Sequence, residues 1–222
     1  MIRFSRIKGI VFDLDGVIFN SEPLWELSVT KTIEHFYNVT PSPKFVRTII
    51  ARSNREILKM HIMKYHPHYL SLTEEIERTN QFLEEHFVTN MVPRIKLFPE
   101  VLSVIKFLKE KSILLGIATN APKRIVSKIL QDISNLNKYF DSVLTIDDVT
   151  KGKPNPEMLE KSLKELALSA EEVVFIGDSL DTDGTASKLA GIPFILIDRE
   201  HSQTNEDINA ISSLEELFSV LD

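Results

Sequence analysis

Two aspartates separated by one residue, Asp13 and Asp15, are the first residues in this sequence that could carry out chemistry. Two carboxyl groups in one site can take different roles when their surroundings separate their pKa values. One then stays ionised and attacks as a nucleophile, while the other holds a proton and acts as an acid. The same Asp-Leu-Asp-Gly sequence is also typical of an ordinary β-turn, because aspartate and glycine favour turns. The pair alone leaves both interpretations open.

The residues around this pair predict the element that positions it. Residues 10–12, Ile-Val-Phe, form a short apolar run that stops at Asp13, and Gly16 then provides turn chemistry. We therefore expect a buried strand with the two carboxylates at its C-terminal end. Ligands of open α/β sheets bind at this end of the strands.

The composition limits the classes of function. The chain has 222 residues, of which 43% are hydrophobic, enough for a core domain with a smaller companion. Its net charge of -6 gives no general attraction to nucleic acid or to an anionic membrane, and we expect neither as a partner. The absence of cysteine excludes disulfides, thiol catalysis and thiolate metal sites. Because the first apolar run is too short for a signal sequence or a membrane span, we expect a cytoplasmic protein.

Two kinds of patterning divide the chain. Helical spacing dominates residues 20–92, with no segment that alternates like a strand, which predicts an all-helical insertion. From residue 93 onward, apolar strand-like runs alternate with amphipathic helices, the pattern of βαβ units and a parallel sheet. The sequence therefore predicts an α/β fold with a helical insertion after the first strand.

Three further polar residues are expected at the same edge of this sheet. Thr119 and Asp178 directly follow candidate strands, and Lys153 lies in a loop after another. Because the C-terminal ends of parallel strands share one edge, these side chains are expected to converge on Asp13. That convergence is typical of a catalytic site.

These residues lie in four motifs: Asp13-Leu-Asp-Gly, Thr119, Lys153 within Gly-Lys-Pro-Asn-Pro, and the segment from Gly177 to Asp183. In order and approximate spacing the sequence resembles the haloacid dehalogenase-like hydrolase superfamily, and is most similar to the branch containing β-phosphoglucomutase and phosphoglycolate phosphatase. The resemblance implies a Rossmann-like parallel-sheet core formed by residues 1–19 and 93–222. It implies an inserted α-helical cap at residues 20–92.

The resemblance also implies a role for each motif residue. Asp13 would be the nucleophile that becomes an aspartyl phosphate, and Asp15 would protonate the leaving oxygen and later activate water. Thr119 would bind the phosphoryl group, with the backbone amides around Asn120. Lys153 would neutralise charge on the nucleophile and on the phosphate.

A magnesium ion is the cofactor that the resemblance implies. The carboxylates of Asp13 and Asp178 and the carbonyl of Asp15 would bind Mg²⁺, and Asp183 would support or complete the shell. Oxygen ligands suit this hard cation, and phosphoryl transfer requires a cation beside the reacting phosphate.

The first motif limits the classes of reaction that the resemblance implies. Relatives that act as dehalogenases or phosphonatases lack an acid at the position of Asp15, because their leaving groups need no proton from it. We therefore expect a Mg²⁺-dependent phosphatase of a small phosphorylated metabolite. A hexose-phosphate mutase similar to β-phosphoglucomutase is the alternative, although Gly177 is more typical of phosphatases, since the mutase has an acidic residue there. A non-catalytic binding protein on the same fold also remains open.

The expected cap carries two candidate substrate contacts, and two residues depart from the family pattern. Arg52 and Arg55 lie at a predicted helix start that resembles the cap specificity loop, and they are candidate contacts to substrate phosphate or carboxylate. A capped, solvated helix end is the competing interpretation. Asn20 and Glu100 depart from the residues common in the family, and neither is expected to take part in the chemistry. We expect a monomer or a weak dimer.

Overall fold

A computed structural model describes residues 4–49, 72–133, 135–200 and 209–221. Its centre is a six-stranded parallel sheet in the order β3-β2-β1-β4-β5-β6, so β1 is an interior strand. The strands are β1 Gly9–Phe12, β2 Leu114–Ala118, β3 Ser142–Leu144, β4 Val173–Gly177, β5 Phe194–Ile197 and β6 Ala210–Ile211. The strand before Asp13 and the alternation of strands and helices from residue 93 onward were predicted from the sequence, whereas the two-residue β6 was not.

Helices cover both faces of this sheet. The α-helices of the described residues are α1 Glu22–Tyr37, α2 Pro43–Ile49, α3 Leu72–His86, α4 Val101–Glu110, α5 Lys123–Asp132, α6 Glu157–Leu166, α7 Thr185–Ala190 and α8 Glu216–Leu221. Residues of α4, α5 and α8 pack in one apolar cluster with one face of the sheet. Residues of α6 and α7 pack in a second cluster on the other face. The result is a three-layer α/β arrangement.

The central strand shows why its sequence is continuously apolar. All four residues of β1 are buried. Ile10 and Phe12 belong to one apolar cluster, and Val11 belongs to the other, because successive side chains of a strand point to opposite faces. Strands covered on both faces need apolar residues at every position. Complete burial of a side chain such as Phe12 contributes roughly 1.5–3 kcal/mol.

The helices between β1 and β2 have a small apolar cluster of their own. It joins side chains of α1, α2 and α3: Val29, Ile33, Tyr37, Val46 and Leu83. At the ends of this region, Trp25 and Phe87 stack with their ring centroids 3.7 Å apart and join the main core. No strand occurs in the described parts of this region, residues 20–49 and 72–92, as the sequence predicted.

Among the helices of the described residues, none has both the length and the apolar character required to cross a bilayer.

Candidate active site

The candidate site lies at the C-terminal edge of the sheet. Asp13, Thr119 and Asp178 each follow the last residue of a strand, β1, β2 and β4 respectively. Main-chain hydrogen bonds continue past the strand ends: the N–H of Asp13 donates to the carbonyl of Ile176 at 2.8 Å, and that of Thr119 to the carbonyl of Leu144 at 3.0 Å. The sheet therefore fixes the backbone that carries these side chains.

Lys153 joins two of the carboxylates. Its Nζ lies 2.8 Å from Oδ1 of Asp13 and 2.7 Å from Oδ1 of Asp183. Only 3% of Lys153 is exposed, and a buried ammonium group requires charged partners of this kind. Burial acts to lower the pKa of Lys153, but the two carboxylates outweigh it and raise that pKa above its ordinary value. Lys153 is therefore a permanent cation in contact with Asp13.

Three carboxylates meet beside this lysine. Asp13, Asp178 and Asp183 each offer an oxygen atom, and these atoms all lie within 4.8 Å of one another. Burial, together with the charge of Asp183, raises the pKa of Asp13 to about 7 although Lys153 opposes the shift. Burial and the same neighbour raise the pKa of Asp178 well above its ordinary value. A hard divalent cation would relieve this repulsion, and the set of oxygen ligands fits Mg²⁺.

Asp15 has different surroundings from Asp13. Its Oδ1 accepts hydrogen bonds from the hydroxyl of Ser21 and from Nε1 of Trp25, the latter at 3.0 Å. Burial raises the pKa of Asp15, and these two donors act in the opposite direction. One aspartate thus contacts a lysine and two acids, while the other contacts two neutral donors.

The donors to Asp15 belong to the start of α1. Ser21 precedes the helix but makes no hydrogen bond from its side chain to the first turn. It donates to Asp15 instead, a contact that the sequence did not reveal. Trp25 is a core residue, and its indole N–H is in addition a polar contact of the site.

Two glycines allow the acidic side chains to come this close. A Cβ atom on Gly16 would overlap the carboxylate of Asp178, and one on Gly177 would overlap the side chain of Asp183. Gly16 also has a φ of +73°, a conformation that favours glycine. The acidic cluster therefore depends on the absence of side chains at both positions.

Asn120 has a positioning contact that the sequence did not reveal. Its Nδ2 donates to the carbonyl oxygen of Lys153, and the N–H of Lys153 donates to Oδ1 of Asn120. The Oγ1 of Thr119 accepts a hydrogen bond of 3.1 Å from the N–H of Ala121, while its own hydroxyl hydrogen is a donor. Asn120 thus lies beside Lys153 and its side chain fixes the loop that carries the lysine, while Thr119 precedes Asn120 directly after β2.

A cleft of about 900 Å³ opens next to this loop. Asn80 and Glu84 of α3 line one side, while Asn120, Gly152 and Pro154 are among the residues that line the other. The expected cap residues Arg52 and Arg55 lie outside the described residues. The cleft has room for a small molecule beside the loop that carries Lys153, and its lining residues do not include the acidic cluster.

The comparison with known proteins agrees with this geometry. A profile of the haloacid dehalogenase-like hydrolases matches residues 10–197, which include every motif of the site. The chain belongs to this family. The family prediction made from the four motifs is therefore confirmed.

Curated relatives and solved structures of the family cover almost the whole chain. It is 28% identical to "Pyrophosphatase PpaX" of Anoxybacillus flavithermus over 223 residues, which cover 97% of each protein. It is 30% identical to "Phosphoglycolate phosphatase" of Aquifex aeolicus over 186 residues, or 83% of this chain and 82% of the relative. The solved structure of β-phosphoglucomutase from Clostridium difficile superposes with a TM-score of 0.83 at 19% identity, covering 97% of each chain. The predicted fold class is confirmed.

Proposed function

We propose that this haloacid dehalogenase-like hydrolase is a Mg²⁺-dependent phosphatase of a small phosphorylated metabolite. The observation that carries the proposal is the different environment of the two aspartates. Asp13 lies 2.8 Å from the Lys153 ammonium, which favours its ionised form, whereas Asp15 accepts hydrogen bonds from the neutral donors Ser21 and Trp25; burial raises the pKa of both carboxyl groups. This division suits an ionised nucleophile beside a proton donor.

The reaction would proceed in two displacements. In the first, an Asp13 oxygen attacks phosphorus, the bond to the ester oxygen breaks, and Asp15 transfers its proton to that oxygen, so that the alcohol leaves. In the second, Asp15 takes a proton from water, and the water oxygen attacks phosphorus. The bond between phosphorus and the Asp13 oxygen breaks, and inorganic phosphate is released. Asp13 is then free as a carboxylate.

The remaining site residues would bind the phosphoryl group. The Lys153 ammonium is placed to neutralise charge on Asp13 and on a phosphate oxygen beside it. The hydroxyl of Thr119 and the backbone amides around Asn120 would donate to phosphoryl oxygens. The position of both residues directly after β2, together with the hydrogen bonds between Asn120 and Lys153, supports this assignment.

The metal would be held by the acidic cluster. Asp13 and Asp178 would provide carboxylate oxygens and Asp15 its carbonyl, with Asp183 as a further ligand or as support for the shell. When bound, Mg²⁺ would neutralise charge on the transferring phosphate and keep the nucleophile ionised. The distances within the cluster and the raised pKa values of two of its members support the assignment.

The helical region would form the cap. We assign residues 20–92 to it and residues 1–19 and 93–222 to the catalytic core; the separate apolar cluster of α1, α2 and α3 supports this division. Arg52 and Arg55 remain candidate contacts to substrate phosphate or carboxylate. A small soluble substrate and a cytoplasmic location fit the assignment, and a monomer or weak dimer is proposed.

Gly177 favours hydrolysis over the mutase alternative. The side chain of Asp183 lies against this glycine so closely that a Cβ atom would overlap it. An acidic residue at this position, as in the mutase considered above, would displace Asp183 from Lys153. The names of the two curated relatives, a pyrophosphatase and a phosphatase, agree with a hydrolytic reaction.

The test is phosphate release from a panel of phosphorylated metabolites, with Mg²⁺ and with chelator. We expect selective, Mg²⁺-dependent release by the wild-type protein and none above background by Asp13→Asn, since the amide is not a nucleophile. Circular dichroism and thermal unfolding show whether the variant is folded. Release by the folded variant at the wild-type rate would contradict the nucleophile assignment. Mutase activity with a sugar 1-phosphate and a bisphosphate primer, without net phosphate release, would favour the alternative.

A further inference from the structure

The side chain of Arg199 reaches from β5 to the turn that follows β1. Arg199 lies two residues after the end of this strand at Ile197. Its Nε donates to the carbonyl oxygen of Gly16 at 3.1 Å, and its Nη2 donates to that of Val17 at 2.9 Å. One guanidinium group therefore binds two consecutive peptide carbonyls of the turn that carries Asp15.

The guanidinium is itself held in place from two other directions. Its Nη1 lies 2.7 Å from Oε1 of Glu100, whose exposed fraction is only 8%. Its carbon Cζ lies 3.5 Å from the centre of the Phe98 ring. A planar group with a fixed fork of donors suits this combination of stacking, ion pairing and carbonyl binding, which an ammonium group could not reproduce. Arg199 and Glu100 together are called the clamp below.

The turn that the clamp holds is part of the candidate active site. Gly16 follows Asp15 directly, and a Cβ atom on Gly16 would overlap the Asp178 carboxylate. The turn also closes on itself, because the N–H of Gly16 donates to the carbonyl of Phe19 at 2.9 Å. A shift of the Gly16 carbonyl would therefore move the backbone of Asp15.

We propose that Arg199 is a positioning residue that sets the place of Asp15 relative to the ester oxygen, with Glu100 as its anchor. The proposal rests on the proposed phosphatase function, because it concerns the proton that Asp15 transfers. Arg199 does not itself touch the reacting atoms. Displacement of a catalytic group by about 1 Å can cost a factor on the order of 100 in rate, so a clamp next to the acid affects catalysis directly.

Two substrates with different leaving groups distinguish a misplaced Asp15 from a loss of folded protein. An alkoxide must receive a proton as its bond to phosphorus breaks, whereas p-nitrophenolate is a stable anion that leaves without one. A misplaced acid therefore slows the attack on an alkyl phosphate more than the attack on p-nitrophenyl phosphate. A fraction of unfolded protein lowers both rates equally, so the ratio of the two kcat/KM values is insensitive to it.

The experiment measures this ratio for the full-length protein with Mg²⁺. The two substrates are the best alkyl phosphate from the panel and p-nitrophenyl phosphate. For Arg199→Ala we expect kcat/KM to fall about 10- to 100-fold more for the alkyl phosphate than for the aryl phosphate. Arg6→Ala is the matched control, because this exposed arginine precedes β1 at the opposite edge of the sheet and pairs only loosely, at 3.8 Å, with Glu171.

Two further variants keep the test decisive if Arg199→Ala folds poorly. Arg199→Lys keeps a cation for Glu100 but loses the guanidinium donors to the two carbonyls. We therefore expect stability close to wild type, with the ratio of the alkyl to the aryl kcat/KM still reduced. The double variant Arg199→Ala with Glu100→Ala also removes the buried carboxylate that Arg199→Ala alone would leave unpaired. It should show the same reduced ratio of the alkyl to the aryl kcat/KM. Thermal unfolding of each variant accompanies the kinetics.

The outcomes distinguish the two proposals. A selective loss for the alkyl phosphate in Arg199→Ala and Arg199→Lys, with Arg6→Ala unchanged, supports the positioning role. A ratio within about twofold of wild type in active Arg199 variants overturns that role and leaves the phosphatase proposal intact. If the wild-type protein releases phosphate from neither substrate, the phosphatase proposal fails and the positioning role fails with it.

Discussion

The carboxamide of Asn120 forms two hydrogen bonds with the main chain of Lys153, one to its carbonyl oxygen and one from its N–H, each of 2.9 Å. The two residues belong to different loops, one after β2 and one after β3. Gly152 makes the contact possible, because a Cβ atom there would crowd Oδ1 of Asn120. The position of the Lys153 ammonium beside Asp13 thus depends on an asparagine that need not touch the substrate with its side chain.

Asn120→Ala is therefore expected to reduce both activity and stability. Loss of two buried hydrogen bonds costs about 1–3 kcal/mol in the free energy of unfolding, and a displaced lysine should lower kcat roughly 10- to 100-fold. Steady-state kinetics and denaturant unfolding measure the two effects. Asn137→Ala, at an exposed position, is the control. A kcat equal to wild type in Asn120→Ala would show that the contact does not position Lys153.

Two glycines in the same backbone conformation give a matched pair of variants. Gly16 and Gly191 have φ values of +73° and +71°. A Cβ atom on Gly16 would overlap the Asp178 carboxylate, whereas one on Gly191 would meet nothing within 4 Å. Alanine at either position carries a backbone cost of about 1–2 kcal/mol. Only Gly16→Ala is expected to lose phosphatase activity, by more than about 100-fold, because it displaces an acid of the metal cluster.

Kinetics at several Mg²⁺ concentrations and thermal unfolding of both glycine variants test this expectation. Equal loss of activity in Gly16→Ala and Gly191→Ala would assign the effect to backbone strain alone. Retained activity in Gly16→Ala would contradict the packing of Asp178 against this glycine.

The residues at the strand ends could be predicted, whereas the contacts that hold them could not. Asp13 and Asp178 each end an apolar run, and parallel strands bring such ends together. The partners of Arg199 are main-chain carbonyls far away in the sequence, and backbone acceptors leave no pattern of residue types. Glu100 was noted only as a departure from the family pattern, and the structure pairs it with Arg199. The two-residue β6 is too short for any periodicity to reveal it.

The stability of the metal-free protein should fall as the pH rises toward neutrality. Burial raises the pKa of Asp13 from an ordinary 3.8 to about 7, so the folded state binds this proton more tightly than the unfolded state does. Stability from this group is present at low pH and is lost as the pH rises between these two values. In chelator, the melting temperature of wild type should decrease from pH 5 to pH 7.5 more steeply than that of Asp13→Asn.

This comparison measures Asp13 together with the two groups whose pKa values its charge affects, Asp178 and Lys153. Groups far from the acidic cluster contribute equally to both proteins and cancel in the difference between the two curves. Addition of Mg²⁺ should flatten the wild-type curve, because the cation favours the ionised carboxylates. Parallel curves for wild type and Asp13→Asn in chelator would contradict the raised pKa of Asp13.

Trp25 should report on the state of Asp15 through its fluorescence. It is the only tryptophan among the 222 residues, and its indole N–H donates to the Asp15 carboxylate. Vanadate, a phosphate analogue, added with Mg²⁺ should change the emission in a saturable way, since a ligand at Asp15 alters this hydrogen bond. In Asp15→Ala we expect a different starting spectrum and no such response. An identical titration in wild type and Asp15→Ala would show that the indole does not sense Asp15.

The interior position of β1 has a consequence for synthesis of the chain on the ribosome. Gly9 at its start pairs with Leu114 on one side and with Val173 on the other, so neither neighbouring strand exists when β1 is made. At translation rates of about 5–20 residues per second, the first partner strand, β2, is synthesised only roughly 5–20 s after β1. During this interval an apolar strand has two unpaired edges, which favours association with other chains. Nascent chains stalled before residue 114 are therefore expected to depend on chaperones, although the helices of the insertion have already been made.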